Sequence, residues 1–220
     1  MDSHLNNKRL LLFLAIALSI CLHASSQGKS QFFSISPINN EIEKRITGKS
    51  YKQNCPIDLE DLRYLQVLYY DFNGNTAKGE LICNKAIAQD LIDIFHELYK
   101  AKYPIECIRL IDEYDADDQR SMADNNTSCF NYRTISGSNT ISKHGKGMAI
   151  DINPLYNPYV TTRKGKTHVE PIEGKPYTDR NKNFKHKIDK TDLCYRLFIK
   201  HGFRWGGSWR YSKDYQHFEK

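Results

Sequence analysis

Short apolar stretches separated by turn signals predict the strands of this chain. Residues 66–72 are apolar and rich in Tyr, and the turn signal at 73–75 separates them from the apolar stretch 79–83. Two such stretches on either side of a turn are typical of two strands. Further strands are predicted at 105–111, 129–135, 148–152, 203–205 and 216–219.

Apolar residues at intervals of three and four predict helices elsewhere in the chain. The clearest helix follows Asn84, a suitable capping residue, and stops before Pro104. A second helix is predicted over 191–201, with Gly202 as its C-terminal stop. These elements together predict an α+β domain with helices packed on a small, mainly antiparallel sheet. The apolar positions of the first helix are Ile87, Leu91, Ile94, Phe95 and Leu98.

The stretch 155–190 is polar, basic and rich in proline, and the pattern predicts no regular element there. Long loops without secondary structure are uncommon in compact domains unless they serve function. One interpretation therefore places this loop near a functional site. The other interpretation is a solvated insertion.

The N-terminus has the pattern of a secretory signal. Lys8 and Arg9 precede the apolar run 10–22, which small and polar residues follow. A run of this length is too short to span a bilayer as a helix. We expect cleavage near Ser26 and export to the periplasm or the medium; a lipoprotein signal that uses Cys21 is the less favoured alternative, because the bulky Ile20 precedes it.

Composition indicates one domain of moderate size in a chain of 220 residues that is 40% hydrophobic and 26% charged. Residues 27–60 are polar and irregular, and we expect them to form an arm ahead of a domain over 61–220. Without residues 1–26 the chain has 30 basic and 25 acidic residues. This mild excess argues against nucleic acid as a partner but suits weak attraction to an anionic polymer such as a bacterial cell wall.

Five cysteines follow the predicted signal, and none of their spacings forms a C-x-x-C motif. In an oxidising compartment they can form one or two disulfides, with at least one thiol left over. Burial as small hydrophobic residues is the equally favoured alternative. The five are Cys55, Cys83, Cys107, Cys129 and Cys194.

Candidate chemistry concentrates in two blocks. In the first, His144 precedes two glycines, and Asp151 lies in an apolar strand, where an isolated carboxylate would be costly to bury. In the second, Asp214 and His217 stand three residues apart. Two histidines and one carboxylate are a common set of catalytic zinc ligands, and a further carboxylate can accept a proton from water.

Other candidate motifs fail on spacing. His96 and Glu97 do not form the helical zinc motif, because Lys100 stands where the second histidine is required. A phosphate-binding loop at 165–167 is excluded, because Val160 occupies the position of its first glycine.

The two blocks, Ser142-x-His144-x-x-Gly147-x-Ala149-x-Asp151 and Asp214-x-x-His217, resemble those of the D-alanyl-D-alanine carboxypeptidase family of zinc peptidases. This family includes VanY-type carboxypeptidases, VanX-type dipeptidases and L-alanyl-D-glutamate endopeptidases. The stretch 125–133 also looks like one exported bacterial branch, and the resemblance runs from about residue 64 to 219. It implies a hedgehog-like α+β fold with zinc at the sheet, and a zinc peptidase domain over 61–220.

The resemblance assigns roles by position. It implies His144, Asp151 and His217 as ligands of Zn²⁺, Asp214 as general base, and Arg133 as the basic residue that binds substrate or stabilises the oxyanion. The segment 205–209 resembles the family's tryptophan–glycine segment, although Ser208 stands where many relatives have an acidic residue.

From the site we expect each ligand imidazole to be oriented by an acceptor, with Glu219, Ser142 and backbone carbonyls as candidates. The implied substrates are peptidoglycan stem peptides, cut either at the terminal D-Ala-D-Ala bond or at an L-Ala-D-Glu bond. The basic stretch 155–190, with Arg163, Lys164 and Lys166, could decide between them by recognising a free carboxylate.

Two other classes of function stand beside the peptidase. A non-catalytic, metal-containing module that binds the cell wall has no need of Asp214. A zinc nuclease would need a basic and aromatic track, which the sequence lacks. Oligomeric state has no signature in the chain.

Overall fold

The computed structural model describes residues 32–135 and 137–220. The predicted signal segment 1–26, with Cys21, lies outside these residues. Within them, no helix combines the length and the hydrophobicity that crossing a membrane requires. The architecture is α+β, as predicted, with small antiparallel sheets and few helices.

The strands and helices follow one another along the chain in a mixed order. The strands are β1 (Ser34–Pro37), β2 (Leu62–Tyr70), β3 (Thr76–Asn84), β4 (Cys107–Ile108), β5 (Asn126–Thr127), β6 (Ala149–Asp151), β7 (Tyr159–Arg163), β8 (Lys166–Glu170), β9 (Arg204–Trp205), β10 (Ser212–Asp214) and β11 (His217–Glu219). The α-helices are α1 (Asn40–Ile46), α2 (Ala88–Lys100), α3 (Asp118–Ala123) and α4 (Leu193–Lys200). Short 3-10 turns span Leu59–Asp61, Ile111–Tyr114, His144–Lys146, Ile172–Tyr177 and Gly206–Ser208.

Three antiparallel sheets of three strands carry the fold, in the orders β1-β2-β3, β10-β7-β8 and β6-β11-β9. A short parallel pair, β4 and β5, forms a fourth sheet. The hairpin of β2 and β3 confirms the two strands predicted around the turn at 73–75.

Both faces of the β2–β3 hairpin are covered. Successive side chains of a strand point to opposite faces, and apolar side chains of this hairpin enter a hydrophobic cluster on each side. One face packs on α2 in the main core, and α4 belongs to the same core, where the rings of Phe198 and Phe218 stack 4.3 Å apart. The other face packs on α1, through Ile42 and Ile46, in a second hydrophobic cluster. The core therefore ties β11, which carries Phe218, to the central helices.

The two predicted helices are present, with a correction at the start of the first. Helix α2 begins at Ala88, and Asn84 is not its cap: the Asn84 side chain accepts from the backbone N–H of Ala86 in the turn ahead of the helix. Helix α4 ends at Lys200, and Gly202 follows with φ at 82°, a left-handed conformation that suits glycine.

Two predicted strands are wrong for most of their length. Within 105–111 only Cys107–Ile108 forms a strand. The side-chain oxygens of Asn153 and Asn126 accept the backbone N–H groups on either side of it, which a longer strand would donate to a neighbouring strand. Residues 129–135 form no strand, since their N–H groups donate in turn to carbonyls of different segments: Phe130 to Ile82, Asn131 to His144 and Tyr132 to Ser50.

Two stretches predicted to be irregular contain regular structure. Residues 34–46 of the predicted arm form β1 and α1, because Asn39 caps the helix and Ile42 and Ile46 find apolar partners. The stretch 155–190 contains the β7–β8 hairpin and a 3-10 turn. Strand β10 completes that sheet, so the insertion is built onto the strand that carries Asp214.

The five cysteines that follow the predicted signal are free thiols, which agrees with the alternative that they act as small hydrophobic residues. All except Cys55 are buried.

Candidate metal centre

His144 stands at the start of a tight 3-10 turn. Gly145 donates its backbone N–H to the Ser142 hydroxyl, and a Cβ on Gly145 would lie 2.8 Å from the carbonyl oxygen of Arg133. Gly147 ends the turn with φ at 66°, and a Cβ there would lie 2.6 Å from the backbone N of Asn84. The two glycines thus allow the close packing that fixes the position of His144.

Strand pairing brings the other two predicted ligands together. Asp151 ends β6 and His217 begins β11, and the antiparallel register places them directly opposite each other. The indole of Trp209 lies 5.3 Å from the His217 ring, centroid to centroid, with the two ring planes tilted by 56°. Residues 66 positions apart in the chain therefore share one site.

The three side chains converge through one atom each. Nε2 of His144 lies 3.1 Å from Nδ1 of His217 and 3.3 Å from Oδ1 of Asp151, and that oxygen lies 3.1 Å from Nδ1 of His217. In a tetrahedral site with metal–ligand bonds of about 2.0–2.1 Å, ligand atoms lie about 3.3–3.4 Å apart. The triangle is slightly tighter than such a face.

Outer hydrogen bonds direct both imidazoles. His144 donates from Nδ1 to the Cys129 carbonyl oxygen, at 2.6 Å, and Nε2 of His217 lies 3.4 Å from Oε2 of Glu219. These partners favour tautomers with lone pairs on the inner nitrogens. Three acceptor atoms then face one another, an arrangement that requires a cation among them: a proton on His217 or a metal ion. Two imidazole nitrogens and one carboxylate oxygen are a set of ligand atoms that suits a metal ion.

Of the expected orienting groups, Glu219 and a backbone carbonyl contact the rings. The Ser142 hydroxyl instead accepts from the backbone N–H of Gly145. The particular carbonyl, that of Cys129, could not be named from the sequence, because a backbone group carries no residue signature.

Charges and hydrogen bonds within the cluster shift the pKa values of Asp151 and His217. Burial would raise the pKa of Asp151, but the two histidines outweigh burial and hold this pKa well below its usual range. Burial would lower the pKa of His217, yet hydrogen bonds to Asp151 and Glu219 raise it to about 10. A metal ion held by the inner nitrogen of His217 would take the place of that proton.

Asp214 lies beside this cluster at the end of β10, opposite Tyr159 of β7. Its Oδ1 atom is buried without a hydrogen-bond partner among the described residues, and burial raises the pKa of the carboxyl to about 7. Gly206 packs against it: a Cβ there would lie 2.7 Å from the Cβ of Asp214 and 3.2 Å from that of His217. An unpartnered carboxylate oxygen with a raised pKa is suited to accept a proton.

The Arg133 backbone packs against the turn that carries His144, but its side chain is paired with another residue. Arg133 forms an ion pair with Asp118, and within the described residues no hydrogen bond or ion pair joins it to the cluster. Two histidines outside the two sequence blocks pair with carboxylates of their own: His168 with Glu170, and His201 with Asp90. His144, Asp151 and His217 are the one group of three or more potential metal ligands in the part of the chain that the structure describes.

The fold and the cluster define an α+β protein with a two-histidine, one-carboxylate set of the kind that holds catalytic zinc. Residues 136–220 match the family model described as D-alanyl-D-alanine carboxypeptidase. This match confirms the resemblance to the D-Ala-D-Ala carboxypeptidase-like zinc peptidases and supports a peptidase that acts on peptidoglycan peptides.

The match covers less than half of the chain but contains both sequence blocks. The stretch 64–135, with Arg133, lies outside it. Neither the curated proteins nor the solved structures contain a match to this chain.

Proposed function

We propose that this chain is a zinc-dependent peptidase of peptidoglycan stem peptides, in which His144, Asp151 and His217 hold Zn²⁺ and Asp214 is the general base. The observation that carries the proposal is that three acceptor atoms converge to within 3.3 Å of one another. The outer partners of both rings support it, because Cys129 and Glu219 leave the inner nitrogens free to bind a metal.

Zinc at this site would polarise the scissile carbonyl and lower the pKa of attacking water. Asp214 accepts the proton of that water and then delivers it to the leaving amine. Its buried environment suits both steps, since a carboxyl with a pKa near neutrality both takes and returns a proton.

We assign Arg133 to substrate binding, as the resemblance implies. Its side chain is 38% exposed and pairs with Asp118, so it is accessible to an anionic substrate that competes with that carboxylate. Arg133→Ala should raise KM for a substrate with a free carboxylate. The fold-change in KM should be larger than the fold-change in zinc affinity.

The first experiment is mass spectrometry of the products formed when the zinc-loaded protein is incubated with defined muropeptides, with Asp214→Asn alongside. We expect the wild type to cleave and Asp214→Asn to lose activity by about 100-fold or more while zinc stays bound. Asp93→Asn, an exposed change on α2, is the matched control and should cleave as the wild type does. Removal of zinc by a chelator should abolish cleavage, and added zinc should restore it.

The products also identify the bond. Loss of one D-Ala defines a carboxypeptidase, and release of the peptide after L-Ala defines an endopeptidase. If folded, zinc-bound protein cleaves no muropeptide, the proposal fails and the non-catalytic wall-binding module takes its place.

Export and domain division complete the proposal. Residues 1–26 act as a secretory signal cleaved near Ser26, which brings the enzyme to its substrate outside the cytoplasm; N-terminal sequencing of the secreted protein tests this. We keep residues 61–220 as the peptidase domain and 27–60 as an N-terminal arm, now with α1 packed on the β2–β3 hairpin.

A further inference from the structure

Arg180 is a partly buried cation whose hydrogen-bond acceptors are all uncharged. Nη1 donates to the carbonyl oxygens of Tyr156, at 3.0 Å, and Tyr177, at 3.4 Å. Nη2 donates to the carbonyl oxygen of Ile188, at 2.7 Å, and to Oδ1 of Asn157, at 3.0 Å. Burial lowers the pKa of Arg180 to about 10, so it stays charged at neutral pH. One side chain thus holds together four positions of the insertion 155–190.

The same guanidinium lies on the ring of Tyr215, with Cζ 4.3 Å from the ring centroid. A guanidinium over an aromatic face is attracted by the negative charge of that face, and its planar shape allows close stacking. Tyr215 directly follows Asp214, and its backbone carbonyl accepts from the Trp205 indole at 2.9 Å. Displacement of the Tyr215 ring therefore moves the backbone next to Asp214.

A second path leads from Arg180 to the segment after Asp151. Asn157, which Arg180 contacts, is fully buried and donates from Nδ2 to the carbonyl oxygen of Asn153 at 3.0 Å. Asn153 stands two residues after Asp151 and adopts a left-handed φ of 46°. Arg180 thus connects the two segments that follow Asp151 and Asp214.

We propose that Arg180 is a positioning residue that holds the Asp214 carboxylate in place relative to the cluster of His144, Asp151 and His217. This inference rests on the proposed function, because it takes Asp214 as the proton acceptor. Lysine cannot replace arginine here, since an ammonium neither stacks as a plane nor reaches four acceptors at once.

The test is Arg180→Lys, which keeps the charge. We expect kcat to fall by about 10- to 100-fold, as for small displacements of a catalytic group, while KM and zinc affinity change by less than about twofold. Tyr215→Leu, which removes the ring under the guanidinium, should lower kcat in the same way. Arg196→Lys, on the exposed face of α4, is the matched control and should leave kcat unchanged.

A double variant with Asp214→Asn distinguishes a positioning role of Arg180 from a general effect on stability. In the Asp214→Asn background, Arg180→Lys should have no further effect on residual hydrolysis, because no base remains to be positioned. Amide hydrogen exchange should become faster at 153–158 and 214–216 in Arg180→Lys, measured with and without zinc.

Three results would each overturn the inference: wild-type kcat in Arg180→Lys, a loss of zinc affinity in parallel with kcat, or an equal loss in the Asp214→Asn background. Absence of hydrolysis by the wild type would instead overturn the proposed function. In that event the hydrogen-exchange comparison alone decides whether Arg180 holds the two segments.

Discussion

Glu219 links the candidate metal centre to the surface of the protein. It contacts Nε2 of His217 and forms an ion pair with Arg204 at 2.7 Å, and its side chain is only 12% exposed. The hydrogen bond to His217 is the main reason that the pKa of Glu219 lies below its usual value. A carboxylate in this position orients the imidazole and increases its basicity toward a metal.

Glu219→Ala should therefore weaken zinc binding by about 10- to 100-fold, measured by competition with a chromophoric chelator. Arg204→Ala is the control, because it removes the other partner of Glu219 and leaves His217 untouched. Equal zinc affinities in Glu219→Ala and the wild type would contradict the assigned role of Glu219.

Among the elements, the 3-10 turn Gly206–Ser208 follows β9 and packs against Asp214 of β10. Gly206→Ala would place a methyl group 2.7 Å from both the Cβ and the carbonyl oxygen of Asp214, so the backbone must shift. We expect a loss of about 1–3 kcal/mol in the free energy of unfolding, together with a lower kcat. Ser208→Ala, an exposed change in the same turn, should alter neither. Urea unfolding and muropeptide kinetics measure the two quantities. Wild-type stability and kcat in Gly206→Ala would show that a methyl group at position 206 does not displace Asp214.

Helix α1 is attached to strand β3 by a bidentate ion pair. The guanidinium of Arg45 lies 2.9 and 2.8 Å from the two carboxylate oxygens of Glu80, which also accepts from the Tyr64 hydroxyl. Arg45 is the largest cause of a lowered pKa of Glu80. A lowered carboxyl pKa stabilises the fold above the ordinary value of 4.5, and this stability disappears as the pH falls through the folded-state pKa.

Glu80→Gln should lower the free energy of unfolding by about 0.5–1 kcal/mol at pH 7, because the pair is partly exposed and screened. The difference from the wild type should shrink below pH 4.5 as Glu80 takes up a proton. Urea unfolding at pH 7 and pH 3 measures this, with the exposed Glu60→Gln as control. A difference that persists at pH 3 would exclude the ion pair as its source.

At the scale of the whole molecule, positive charge is concentrated in the insertion. Residues 155–190 contain nine Lys and Arg against four Asp and Glu. The tip of the β7–β8 hairpin carries the exposed Lys164 and Lys166. Because Tyr159 is opposite Asp214, Lys164 lies about 16 Å farther along the strand, whereas a terminal carboxylate lies one residue from the bond that is cut. The tip is better placed to contact a polymer than to read that carboxylate.

The double variant Lys164→Ala and Lys166→Ala should cleave free-acid and amidated soluble peptides as the wild type does. On insoluble peptidoglycan it should be several-fold slower at low salt, with the difference reduced at high salt. Neutralisation of Lys44 and Lys52, exposed residues of the N-terminal arm, is the matched control. If the double variant cleaves free-acid peptides more slowly than the wild type but amidated peptides equally fast, the hairpin tip does recognise the carboxylate.

Elements whose signals are local can be predicted from the amino-acid sequence alone. The β2–β3 hairpin, α2 and α4 were predictable because apolar spacing and turn residues act within a few residues. The sequence also indicated His144, Asp151 and His217, since their spacing within two blocks is specific when both blocks occur together.

The partners of these residues depend on how distant segments pack together. The Cys129 carbonyl at His144, the Arg180 clamp on Tyr215 and the pairing of β7 with β10 join positions far apart in the chain. The failure of 129–135 to form a strand has the same origin, because its backbone donors find acceptors in three distant segments. Such partners depend on how elements pack, and no local pattern of residue types records them.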